Sequence, residues 1–173
     1  GYEDYILINR KGHVVYTAKK GKDLGANLKY GEMQNSPLAS IWKKIMSSNK
    51  MYLQDFTFYE PSGKHVCFIG TPVSEKAEPD TMLGAVVLRV PPEAFSGIIH
   101  ERIGMGDSGR FYLITRTPEN KLEFRNNSDS GMKTSFDVGD RVTEKHLVKA
   151  FGNGTHQMKY TGTDHLSYLV TSV

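Results

Sequence analysis

Hydrophobic and polar positions along the first fifty residues predict a β-hairpin followed by a helix. Two β-rich runs, residues 5–8 and 13–17, flank a polar turn whose Gly12 tolerates a positive φ. Ser36 and Pro37 then provide an N-cap and a proline at the first helical position. The predicted helix runs to Ser48, and its apolar residues are spaced to form one core-facing stripe: Leu38, Ile41, Trp42 and Ile45.

The residues that follow predict a second hairpin and then a central strand. The β-rich runs 51–59 and 64–72 are joined by a four-residue turn that contains Pro61. Residues 82–90 are almost continuously apolar, as is typical of a strand covered on both faces. Two prolines end this strand, and we expect an amphipathic helix after them whose apolar face holds Phe95, Ile98, Ile99 and Ile103.

The second half of the chain repeats this order of elements. Residues 110–114 are similar in pattern to residues 5–8, and a helix capped by Thr143 is predicted further along. Short connections between strands imply antiparallel pairing, so the sequence predicts an α+β fold. The second half has no counterpart to strand 82–90, and we expect it to end one strand short. Its other predicted strands are 121–125, 155–160 and 165–173.

Composition and charge exclude several classes of protein. The chain has 173 residues and a formal net charge of +3, with basic residues dispersed, which gives no support for nucleic-acid binding. Its longest apolar runs are far shorter than the roughly 20 residues that cross a bilayer. Cys67 is the single cysteine and the six histidines are scattered, which argues against a disulfide or a zinc site. We expect no metal and no cofactor, and a buried, unreactive Cys67.

No motif in the sequence supports catalysis. The G-x-G-x-x-G pattern at residues 104–109 follows a predicted helix and enters a strand, the reverse of the order in which such a loop binds a dinucleotide. The sequence contains no G-x-S-x-G elbow. We therefore predict that the protein is not an enzyme, with a small-molecule-modifying enzyme as the less favoured alternative.

The strand at residues 52–59 is the most informative for binding. Strict alternation would place Asp55, Thr57 and Tyr59 on one face, with Phe56 and Phe58 on the other. A carboxylate beside a tyrosine hydroxyl could orient a small polar or cationic ligand. The alternative is the solvent face of an ordinary antiparallel strand. A tryptophan in a helix, as at position 42, is likewise more typical of a core than of a ligand site.

Several short segments together form a pattern that covers nearly the whole chain, although no single segment is specific. In the first half they are residues 5–8, 12–17, 23–28, Ser36 with 38–39, and Asp55-Phe56 with Tyr59, Pro61 and Ser62. The pattern continues in Phe68-Ile69, Pro72-Val73, Gly84, residues 86–90 and the entry to the second half at 104–114. Together these segments resemble the double Cache sensor domains of bacterial transmembrane receptors.

The resemblance implies two tandem PAS-like antiparallel sheets flanked by helices. Residues 1–92 would form the membrane-distal subdomain, and residues 93–173 the connecting helix and a truncated membrane-proximal subdomain. The long N-terminal helix of the family and both transmembrane helices are absent from this sequence. The implied location is the periplasmic side of the bacterial inner membrane, in a homodimeric receptor anchored by those absent segments.

The implied function is to bind a small molecule and to signal across the membrane, most often as part of a methyl-accepting chemotaxis protein. A histidine kinase or a cyclic-dinucleotide enzyme is an alternative output, and a periplasmic partner protein is an alternative to a small ligand. By the family's geometry the pocket lies between the 19–35 loop, the helix and the strands. The ligand contacts expected there are Asp55 and Tyr59 first, then Phe58 and Phe68, with Trp42.

Two departures from the family bear on the ligand. Amino-acid-binding members carry an arginine shortly before the helical tryptophan, but Ser40 and Ile41 stand before Trp42, so an α-carboxylate clamp is not expected. Lys64-His65-Val66-Cys67 replaces residues that are small in the subfamily, which could narrow the pocket or change its charge. The ligand class stays open.

Overall fold

Five strands of the first half form one antiparallel sheet. The computed structural model describes residues 2–76, 81–95, 110–128, 135–152, 157–161 and 167–171. The first half contains β1 (Asp4–Asn9), β2 (Val14–Thr17), α1 (Pro37–Ser48), β3 (Tyr52–Tyr59), β4 (Lys64–Ser74) and β5 (Met82–Val90). The strand order is β2-β1-β5-β4-β3, with every neighbouring pair antiparallel. This confirms the predicted α+β fold, both hairpins and the central position of β5.

The helix α1 has the predicted bounds because its first turn is capped. Ser36 Oγ accepts a hydrogen bond from the Ala39 backbone N–H (3.1 Å), and Pro37 occupies the first helical position, where no N–H is needed. Asn49 adopts a left-handed conformation (φ 52°) directly after Ser48 and ends the helix. The face of α1 that packs on the sheet comprises Leu38, Ala39, Ile41, Trp42 and Ile45.

The sheet face toward α1, called the inner face below, carries the main hydrophobic core. The stripe of α1 packs there on fully buried side chains that include Ile6, Val66, Phe68 and Val87. Gly70 lies directly beneath α1, where an added Cβ would stand 2.6 Å from Ile45 Cδ1. The helix can therefore approach the sheet closely at this point.

The opposite sheet face, called the outer face, is covered at one end. Phe56 and Cys67 of the sheet pack there with Val138 of the second half, and Phe56 meets Phe95 edge-on at 5.7 Å between ring centroids. Phe95 ends a 3-10 turn, Pro92–Phe95. The rest of the helix predicted after Phe95, and the glycine-rich segment 104–109, lie outside the described residues.

Strand β3 contains a β-bulge, which corrects the predicted alternation. Gln54 pairs with Phe68, but Thr57 pairs with Val66, so the register shifts by one between them. A bulge sets two residues against one on the partner strand and reverses the inward and outward positions beyond it. Asp55 therefore does not share a face with Tyr59, as strict alternation would require.

The second half follows the order of the first: strand, strand, helix, strand, strand. Its elements are β6 (Ile114–Arg116), β7 (Leu122–Phe124), α2 (Lys145–Gly152), β8 (Gln157–Thr161) and β9 (Ser167–Thr171). The predicted strand at 110–114 is wrong except at its last residue, because pairing with β7 begins at Ile114. The helix begins after Glu144 rather than after Thr143. A separate core is formed by Leu122, Phe124, Phe136, Val142 and Leu147.

Candidate functional site

Two adjoining depressions lie between the segment that follows β2 and the turn that joins β3 to β4. Their volumes are about 310 and 230 Å³, and both are open to solvent. They share Glu32, Met33, Glu60 and Pro61, so we treat them as one cleft. The remaining lining residues are Lys22, Ala26, Asn27, Tyr30, Gly31, Asn35, Ser36, Pro37, Phe58 and Tyr59.

The first wall of the cleft is the segment 22–33, which is anchored to β2 by main-chain hydrogen bonds. Val14 N–H donates to the Ala26 carbonyl, and Gly25 N–H donates to the Val14 carbonyl, both at 2.9 Å. Leu28, whose N–H bonds to the Gly12 carbonyl at 2.8 Å, buries its side chain in the main core. The segment thus behaves as an extension of the sheet edge.

The second wall is the end of β3 and the 3-10 turn Glu60–Ser62. Gly63 closes this turn in a left-handed conformation (φ 67°), and its N–H bonds to the Tyr59 and Glu60 carbonyls at 3.0 Å. The turn therefore holds Glu60 and Pro61 beside Glu32 and Met33 of the first wall.

The cleft combines charged and apolar surface. Lys22, Glu32 and Glu60 contribute one positive and two negative charges. Tyr30 and Phe58 are 64% and 52% exposed, and the ring of Phe58 packs edge-on against His65 at 5.7 Å between centroids. Such a lining suits a small molecule that carries charged groups next to an apolar body.

Of the residues predicted to contact a ligand, Phe58 and Tyr59 line the cleft. Tyr59 is fully buried, and its ring packs edge-on against Phe68 at 5.0 Å. Its hydroxyl donates a 2.9 Å hydrogen bond to Asp23 Oδ2. Burial, and then the Asp23 carboxylate, raise the pKa of Tyr59 far above its ordinary value. The phenol therefore stays protonated and remains a donor at physiological pH.

Phe68 and Trp42 lie behind the cleft in the main core. Phe68 is fully buried, and Trp42 is 5% exposed. The indole of Trp42 packs against Gly12, where an added Cβ would stand 3.1 Å from the ring. Its N–H finds no acceptor among the residues described. Neither side chain lines the cleft in this structure.

Asp55 points instead toward the second half of the chain. Its Oδ2 pairs with Arg125 Nε at 3.0 Å, and Arg125 Nη1 also pairs with Glu123 at 3.0 Å. Nearby, His65 of β4 packs against Gly139, which has no Cβ to obstruct the contact: an added Cβ would stand 2.4 Å from His65 Cε1. Burial, followed by the positive charge of Arg125, lowers the pKa of His65. The structure therefore separates Asp55 from Tyr59.

Solved ligand-binding proteins share this fold. An extracellular ligand binding receptor from Desulfohalobium retbaense matches 99% of this chain with a TM-score of 0.59 at 12% identity. The ligand-binding domain of the Campylobacter jejuni chemoreceptor Tlp3 matches 94% in complex with 4-methylisoleucine (TM-score 0.57, 10% identity). Its complex with L-norvaline matches 97% of this chain (TM-score 0.59, 11% identity). No protein-family model and no curated protein matches the sequence.

The fold is Cache-like. The resemblance stated from the sequence is thereby confirmed at the level of the fold. The chain covers 28% of the Desulfohalobium receptor and 57% and 59% of the two Tlp3 chains, so it spans less than two thirds of each. Within the described ranges, no helix is long and apolar enough to cross a membrane. The same ranges hold no group of three or more potential metal-binding side chains.

Sequence reasoning missed the buried charges beside the cleft. Arg89 is 4% exposed, and its guanidinium pairs with Asp4 Oδ2 at 3.0 Å and with Asp23 Oδ2 at 3.5 Å. One signal could have found them, because Arg89 follows Ala85 and Val87 on the inward positions of an apolar strand. An arginine buried in such a strand requires carboxylate partners.

Proposed function

We propose that the chain is the extracytoplasmic ligand-sensing domain of a bacterial transmembrane receptor, of the methyl-accepting chemotaxis type. The observation that carries this proposal is the fold shared with the Tlp3 ligand-binding domain over 94–97% of the chain. The function is binding without chemistry: no step requires a catalytic group or a cofactor. The intact receptor is a homodimer anchored in the inner membrane by segments outside this sequence.

The ligand site of this proposal is the cleft between segment 22–33 and the turn Glu60–Ser62. Phe58 lines the cleft and is half-exposed, with its ring edge-on to His65, and the buried Tyr59 lies next to it. Phe68 and Trp42 lie behind the cleft in the core, and direct ligand contacts by them stay predictions, as does a contact by Asp55. The division into a distal unit, residues 1–92, and a proximal unit, residues 93–173, belongs to the same proposal.

The signal in this proposal is a shift in the relative populations of two arrangements of the cleft. A ligand that binds one arrangement of the cleft better than another favours that arrangement by the difference in affinity. The outer face of the sheet provides a route to the second half, since β3 carries both Tyr59 at the cleft and Asp55 at the pair with Arg125.

Small zwitterions are the first ligands to test. The two Tlp3 structures hold 4-methylisoleucine and L-norvaline. This cleft offers Lys22 for a carboxylate, and Glu32 and Glu60 for an ammonium group. Because no arginine stands before Trp42, amines, organic acids, purines and sugars complete the panel.

The experiment is a thermal-shift screen of the chain against that panel at millimolar concentration. A ligand at 100 times its Kd adds about 2.7 kcal/mol, a shift of several degrees for a domain of this size. Trp42 is the single tryptophan and provides a second, fluorescence readout. Phe58→Ala and Glu60→Gln should abolish the shift. Leu53→Ala is the matched control, because Leu53 is also exposed on β3 but does not line the cleft.

Equal shifts in Phe58→Ala and in wild type would exclude the cleft as the site. Silence of a cooperatively folded chain toward the whole panel would contradict direct sensing of these ligands and favour a periplasmic partner protein. Turnover of any compound in the panel would support the enzyme alternative.

A further inference from the structure

A network of buried charges connects the two walls of the cleft. Its charges come from the start of β1, segment 22–33, β4 and β5 at one end of the sheet. Asp4, Asp23 and Arg89 are each less than 5% exposed. Glu3 also pairs with Arg89 (3.6 Å) and with the more exposed Lys64 (3.2 Å). Five charged side chains thus meet where four segments of the chain end or turn.

Asp23 is the member that belongs to the first wall. It stands next to Lys22, which lines the cleft, and its Oδ2 receives both the Tyr59 hydroxyl (2.9 Å) and Arg89 Nη1 (3.5 Å). Tyr59 belongs to the second wall, since it lines the cleft and precedes Glu60. The hydrogen bond between Tyr59 and Asp23 therefore spans from one wall to the other.

The anchoring of segment 22–33 shows why this bond matters. Its main-chain bonds run to β2, at the opposite edge of the sheet from β3. Further contacts fix the start of the segment, where Lys19 N–H donates to Asp4 Oδ1 at 3.0 Å. Leu28 packs in the main core, and the side chain of Asp23 adds a hydrogen bond to β3 and an ion pair to β5.

The network is a poor source of stability. Three carboxylates face two cations, and Asp23 Oδ1 and Arg89 Nε are buried without a hydrogen-bond partner among the described residues. A buried ion network that is incompletely paired gains little over apolar side chains of the same size. What it provides is a fixed geometry for the groups that it holds.

We propose that Asp23 and Tyr59 form a latch, backed by Arg89, that sets the separation of the cleft walls before a ligand binds. Both are positioning residues, and the proposal rests on the cleft being the ligand site. The latch lowers the cost of ordering the cleft on binding, since the walls are already held in place.

Amide hydrogen exchange of the unliganded chain tests the latch. Tyr59→Phe removes only the hydroxyl, and Asp23→Asn removes the charge and keeps the size. The matched control is Tyr52→Phe, because Tyr52 is half-buried on the same strand and faces the same core. Loss of one buried hydrogen bond should raise exchange across residues 22–33 by about five- to tenfold, while β4 and β5 change as little as in the control.

Two results would overturn the latch: unchanged exchange in residues 22–33 in both variants, or an equal rise throughout the sheet, which reports only lower global stability. The measurement needs no ligand. A chain that binds nothing in the screen but shows the local rise contradicts direct sensing of those ligands and still supports the link between the two walls. Ligand binding in the screen without a local rise in amide exchange supports the proposed function and refutes the latch.

Discussion

The two faces of the five-stranded sheet are built in different ways. The inner face is covered continuously by α1 and the segment before it, which lie between β2 and β3 in the chain. Among the residues that the structure describes, the outer face is covered around Phe56 and Cys67 by the 3-10 turn and Val138, and at His65 by Gly139. On that face Leu53 remains 64% exposed and Tyr5 48% exposed.

The difference separates contacts made within the first half from contacts that need the second half. Inner-face contacts form within residues 4–90, where α1 packs on the strands of one sheet. The outer-face pair of Asp55 and Arg125 joins residues 70 positions apart, so its formation depends on the second half being folded and in place. We therefore expect inner-face substitutions to act on the whole first half, and outer-face substitutions to act on the junction with the second half.

The largest effect should come from the inner face. Phe68→Ala removes a fully buried ring from beneath α1 and beside Tyr59, at a cost of about 3–5 kcal/mol in the free energy of unfolding. Chemical denaturation followed by circular dichroism measures this loss. A cost below about 1 kcal/mol would mean that the inner core adjusts easily around a missing ring.

Phe56→Ala is the matched outer-face change, since both rings are buried in neighbouring strands. Its cluster is small and borders solvent, so we expect a loss of about 2 kcal/mol. Exchange of the amides at residues 135–142 should rise more than that in β1. A uniform rise in amide exchange, equal to the rise in Phe68→Ala, would contradict the distinction between the two faces.

The Asp55–Arg125 pair should contribute less again. Half of the Asp55 side chain is exposed, so solvent weakens the interaction. A double-mutant cycle of Asp55→Asn and Arg125→Gln should give a coupling free energy of about 0.5–1 kcal/mol. A coupling of zero would show that the pair does not join the two halves.

The features that could be predicted from the sequence are those that depend on residues close together in the chain. The cap at Ser36, the stripe of α1 and the apolar run of β5 each follow from neighbours in the chain, and each was confirmed. The bulge in β3 was missed because strict alternation is the default, and only the pairing with β4 reveals the shift at Asp55. A cleft lies between the loop and the strand where a pocket was predicted, and its use as a ligand site stays a prediction. The acidic lining at Glu32 and Glu60 was not predicted.

Acidic pH should lower the stability of the fold through His65 on the outer face. Burial and Arg125 lower its pKa in the folded state, although Glu123 and Asp140 oppose the shift. The unfolded chain binds the proton near pH 6.5, so stability falls as pH drops below that value and through the lower folded pKa. His65→Gln should reduce the loss of Tm between pH 7.5 and 5. An identical loss in the variant would assign the acid effect to other groups, such as His146, whose pKa burial also lowers.

The thiol of Cys67 is a native chemical probe of the outer face. The thiol is 3% exposed, and burial, followed by the Asp55 carboxylate, raises its pKa to about 11. Because the thiolate is the reactive form, native labelling by a disulfide reagent at pH 8 should be about a hundredfold slower than in denaturant. Phe56→Ala should accelerate labelling by local opening, whereas Phe68→Ala should accelerate it only as far as its lower global stability requires. Rapid labelling of the wild-type chain would mean that the outer cluster opens readily, and the contrast between the two faces would then lie in dynamics as well as in packing.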